Sequence, residues 1–134
     1  MNILYPIFAM LLLTLTVMMR MGYARYRAVI RREVDRHYYE LYLGKEPEHL
    51  RVLSRHLSNL LEIPPLFYVA CLIAFVTEQQ GILILSLAWA FVALRFAHTI
   101  IHLGRNVVAL RFRVFVLSMV VLTAMLLTLF IGIL

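Results

Sequence analysis

Residues 55–77 read RHLSNLLEIPPLFYVACLIAFVT. Arg55, Asn59 and Glu62 are spaced i, i+4, i+7, which places all three on one face of a helix. Two prolines follow, and then Leu66 to Val76 passes without a charge. A polar helical face that runs straight into so apolar a stretch marks the edge of a membrane span. A carboxylate at that depth is costly, so Glu62 is expected to have a partner and a purpose.

Working outward, three more apolar runs appear, giving four in all: Ile3–Met19, Ile63–Thr77, Ile82–Leu94 and Val114–Leu134. A helical span needs about 20 residues. The two middle runs reach that length only by continuing through polar neighbours: Asn59 and Glu62 for one, Arg95, His98 and His102 for the other. With 63% hydrophobic and 15% charged residues, the chain lies far from a soluble composition. The reading is all-α, a single domain over 1–134 with spans at about 3–28, 50–77, 82–103 and 108–134. Short connections favour an up-down-up-down four-helix bundle in the membrane.

The net charge of +6 would suggest nucleic acid in a soluble protein, but its distribution argues otherwise. All 13 Lys and Arg fall between Arg20 and Arg55 or between Arg95 and Arg113. Four spans bring both basic stretches to one side, which the positive-inside rule makes cytoplasmic, with both termini on the other. That asymmetry accounts for the charge, and no nucleic-acid partner is expected. The first run lacks a basic leader and a small-residue cleavage site, so it reads as a span rather than a signal peptide. Cys71, the only cysteine, lies mid-span and reads as packing.

Within the chain, Gly44 and Pro47 mark a turn before the second helix, with Pro47 suited to its first position. Pro64 and Pro65 lack the N–H groups that would bond the carbonyls of Leu60 and Leu61, so that helix should bend there. Gly104 is expected to end the third helix.

Three constellations could carry chemistry. Arg55–Asn59–Glu62 is either a binding face or a structural one, in which Arg55 snorkels and Glu62 pairs with an arginine. On helix three, R-F-A-H-T-I-I-H-L-G puts Arg95, His98 and His102 at i, i+3, i+7. His98 and His102 form an i, i+4 pair that can bind metal, and Glu62 could complete a three-ligand site. Two imidazoles on a polar face more often hydrogen-bond to backbone, water or ligand, so no metal is expected. Arg111, beside Arg105 and Arg113, is either an interfacial anchor or a permanent charge able to hold a thiolate or carboxylate.

Taken together, R-x-x-x-N-x-x-E before proline and a span, R-x-x-H-T on helix three and an arginine opening helix four resemble the MAPEG family. These are the membrane-associated proteins in eicosanoid and glutathione metabolism. The resemblance covers about 20–115; the helix-three run is similar to the microsomal prostaglandin E synthase branch, and N-L-L-E-I-P-P to bacterial members. It implies a homotrimer that holds glutathione between subunits near the cytoplasmic face, in a bacterial inner membrane. Arg55, Asn59, Glu62, Arg95 and His98 match glutathione-site residues, and one helix-one arginine among Arg20, Arg25 and Arg27, taken as Arg27, would join them. His102 stands where a ligand-contacting tyrosine is found, and Arg111 matches the arginine that stabilises the thiolate. Phe112 and Phe115 replace two hydroxyl residues of that branch. The resemblance thus implies a glutathione-dependent transferase or peroxidase acting on a lipophilic electrophile or hydroperoxide. The alternative is a non-catalytic trimer that uses its polar cluster for assembly or lipid binding.

Overall fold

A computed structural model describes residues 2–35 and 37–134. Among the described residues six helices follow in order: α1 Leu4–Ile30, α2 Tyr38–Leu41, α3 Glu48–Glu62, α4 Pro64–Val76, α5 Ile82–Leu103 and α6 Val108–Ile133. No strand occurs among the described residues. Counting α3 and α4 as one broken helix, four helices are long and apolar enough to cross a membrane. The outward side chains agree, because large apolar groups such as Leu12, Leu83 and Phe130 are exposed. In water such a surface would be a liability, whereas lipid or another copy covers it at no cost.

The expected bend in the second span is a break. Ile63 ends α3, its N–H reaching the Asn59 carbonyl at 3.4 Å, and α4 begins at Pro64 with the two prolines in its first turn. The physical reason is that neither proline has an N–H for the carbonyls of Leu60 and Leu61, so the hydrogen-bond ladder lapses although Ile63 keeps a helical φ of −96° and ψ of −47°. Proline itself is well suited to a helix start. Pro47, expected at the first helical position, is the N-cap of α3, in an extended conformation.

The core lies along the bundle axis. Phe67 of α4 and Phe91 of α5 are fully buried and stack with ring centroids 4.6 Å apart. Met10, Cys71, Ala74, Ala88 and Met125 pack into the same cluster. Alanines at these contacts let helices approach closely where hydrophobic collapse offers little in lipid. At the polar end, Ala28, Val34 and Leu50 form a smaller cluster with Tyr38 and Tyr39. Burial pushes the Tyr39 phenol above its ordinary pKa, and the Arg25 guanidinium, 5.6 Å from its ring, pulls the other way.

The α5–α6 connection is tight and positions the site. Gly104 caps α5 with φ −96° and ψ −119°, and a Cβ there would lie 2.7 Å from the Ile100 carbonyl oxygen. That neighbour is backbone and cannot rotate away. Gly104→Ala is expected to unwind the last turn of α5 and cost about 1–3 kcal/mol. Thermal unfolding in detergent checks this, and an unchanged midpoint would refute the steric argument. Two residues on, Asn106 takes a left-handed φ of 50°, which asparagine tolerates better than most residues. Its N–H closes the turn on the Ile101 carbonyl at 2.8 Å.

Candidate functional site

Three helices converge on a cavity of about 270 Å³ lined by Arg55, Asn59, His98, His102, Val108, Arg111, Phe112 and Phe115. Arg55 and Asn59 come from successive turns of α3, His98 and His102 from successive turns of α5, and the rest from the first two turns of α6. Among the described residues no carboxylate lines it. Two guanidinium groups, an amide and two imidazoles around one hollow make a receptor for an anion with several acceptor atoms.

Arg111 is held in place by the preceding turn. Its Nη1 donates to Asn106 Oδ1 at 2.6 Å. Asn106 is a site residue that spacing did not single out. Its bond to Arg111 and its left-handed backbone, just before the Val107 N-cap of α6, reveal the role.

Arg95 lies behind the cavity wall and is fully buried. Its Nη1 donates to Asn59 Oδ1 at 2.9 Å, and its guanidinium lies 5.5 Å from the Phe91 ring centroid and 5.6 Å from that of Phe115. Its Nε and Nη2 are buried without a partner among the described residues. A buried cation so sparsely paired is costly, but the two ring faces recover part of that cost.

His56 is the second residue the sequence reading passed over. It is fully buried and lies between α3 and α5. Its Nδ1 is 3.1 Å from His102 Nδ1, and its Nε2 is 3.0 Å from Thr99 Oγ1. His98 stacks against it with centroids 5.6 Å apart. The signal was there in part: Leu53, His56 and Leu60 repeat at i, i+3, i+7 and form the buried stripe of α3.

Besides Arg95, two further expected members lie outside the cavity lining. Glu62 ends α3 and is exposed, outside the cavity lining. Arg27 is exposed on α1, its Nη1 donating to Tyr23 Oη at 3.3 Å, and it lines a separate hollow with Arg20, Arg31, Glu33 and His49. Glu62 does not join the histidines either; the grouped metal-capable side chains are His56, His98 and His102.

Four helices able to cross a membrane, three of which line a hollow rich in cationic and hydrogen-bonding groups, define the class as integral membrane helix bundles. The sequence model of the MAPEG family matches residues 3–131, nearly the whole chain. The chain belongs to the MAPEG family, whose members are glutathione-related transferases and peroxidases or non-catalytic proteins. No curated protein and no solved structure matches it.

Proposed function

We propose that this protein is a glutathione-dependent membrane transferase or peroxidase. The observation that carries the reading is the cavity itself, where Arg55, Asn59, His98, His102 and Arg111 meet with no carboxylate among them. Glutathione is a peptide anion with two carboxylates and a thiol. Arg55 and Asn59 bind its polar backbone, the two imidazoles hydrogen-bond to it, and Arg111 holds the thiolate by charge. With a carbon electrophile, the sulfur forms the new bond and the leaving group departs with its bonding pair. With a hydroperoxide, two glutathiones become the disulfide as the peroxide becomes an alcohol and water. The lipophilic partner enters from the bilayer.

The assembly is a homotrimer in a bacterial inner membrane, with basic segments cytoplasmic and both termini outside. Glu62 and Arg27 are exposed on a single copy. In the trimer they complete the site across the subunit boundary, where glutathione lies. Millimolar glutathione is therefore expected to raise the unfolding temperature of the detergent-purified protein. A hundredfold excess over the dissociation constant corresponds to about 2.7 kcal/mol. No stabilisation at that concentration would sink the proposal.

One observation favours a second reading. Phe112 and Phe115 line the cavity at positions where the resembling branch carries hydroxyls. A non-catalytic trimer that uses the polar cluster for assembly or lipid binding would have no need of them. Under that reading Glu62→Gln shifts trimer stability, while glutathione gives no signal in any variant.

A further inference from the structure

Three imidazoles meet on the inner side of the cavity, and the geometry points to a transition-metal site built from His56, His98 and His102, suited to Zn²⁺ and its borderline neighbours. One nitrogen of each ring lies within 4.8 Å of those of the other two, and all three residues are buried. His56 Nδ1 and His102 Nδ1 are already 3.1 Å apart. Two ligands of a tetrahedral ion with bonds of 2.0–2.1 Å lie about 3.3 Å apart, close to the spacing this pair already has.

Proton bookkeeping names the ligating atom of His56. The Thr99 hydroxyl donates to the Arg95 carbonyl at 2.9 Å, so its 3.0 Å contact with His56 Nε2 requires that nitrogen to carry the proton. A neutral imidazole has only one N–H, which leaves a lone pair on Nδ1, directed at His102. Metal-binding histidines are commonly fixed this way, the far nitrogen donating to a rigid acceptor. The His102 proton that bridges the two Nδ1 atoms would pass to its own Nε2 when an ion arrives, and both rings stay neutral.

A second observation points the same way. His98 is 3% exposed, and its Nδ1 is buried with no hydrogen-bond partner among the described residues. A buried polar atom left unsatisfied costs about 1–3 kcal/mol, which coordination or a ligand would relieve. No carboxylate balances the ion, and Arg55 and Arg111 face the same cavity. The site therefore favours an ion that brings an anionic fourth ligand, hydroxide included, and His98 and His102 line the space that would hold it. Three histidines with an exchangeable fourth ligand are a donor set that zinc uses in catalysis.

The assignment does not depend on glutathione. Protein purified without a histidine tag and stripped by chelator is titrated with Co²⁺ and, separately, with Zn²⁺. One equivalent of Co²⁺ per chain is expected to produce intense tetrahedral d–d bands, and Zn²⁺ to displace it and raise the unfolding temperature. His56→Gln and His102→Gln should abolish the bands, and Thr99→Val should weaken binding about 10–100-fold. His49→Gln, on the exposed end of α3, should change nothing. Helical circular dichroism and elution volume confirm that each variant is folded. Absent bands and no Zn²⁺ stabilisation in the unmodified protein would overturn the site, as would bands that survive His56→Gln.

Discussion

Arg111→Ala is expected to abolish the thiolate absorbance of bound glutathione and to lower turnover about 10²- to 10³-fold, the usual effect of removing one preorganised donor from an anion in a partly dry site. Arg111 is half-buried in the first turn of α6 and steadied by Asn106, so its guanidinium is held at the cavity. Lysine at this position would keep the charge but lose the fork that binds both Asn106 and an anion, so Arg111→Lys should fall between the two. Difference spectra at neutral pH with and without glutathione are the measurement. An alanine variant with an undiminished thiolate band would remove Arg111 from the mechanism, whereas no band in the unmodified protein would favour the non-catalytic reading.

Asn59→Leu is expected to destabilise the bundle by about 1.5–3 kcal/mol, the range for a hydrogen bond to a charged group. Asn59 Oδ1 is the one side-chain acceptor that Arg95 has among the described residues. Its loss leaves a fully buried guanidinium with only ring faces around it. The informative control is the double variant Asn59→Leu with Arg95→Met. Replacing both polar partners by apolar groups of similar volume is far cheaper than orphaning one of them, so the double variant should recover much of the lost stability. Unfolding in denaturing detergent reads both. A single variant as stable as the unmodified protein would show that Arg95 is satisfied some other way.

The bundle could be read from the chain because lipid imposes so strict a code. The run from Ile82 extends through Arg95, His98 and His102 to Gly104, since those polar groups fall on one stripe and the glycine stops the helix. The break at Ile63 was visible as a proline pair, and the two missing N–H groups interrupt the helical hydrogen-bond ladder there. The four-residue α2 was not readable, because nothing periodic marks so short a turn.

The site divides in the same way. Arg55, Asn59, His98, His102 and Arg111 follow from helical spacing and meet in one cavity. His56 was hidden because R-H-L-S-N reads as a solvated stretch until α5 is packed against it. Asn106 was hidden because a left-handed turn leaves only a faint mark in composition. Glu62 and Arg27 lie on stripes that spacing can find, but spacing cannot say what covers them.

Cys71 offers a different use of the fold. It is the chain's only thiol and has no exposure in the assembled bundle. A thiol-reactive dye can therefore reach it only when α4 separates from its neighbours, and the labelling rate counts such openings directly. The native chain thus carries an internal clock for its own unfolding, readable in intact vesicles without engineering a probe. A mixed disulfide recovered at Cys71 after oxidative stress would mark chains that had come apart.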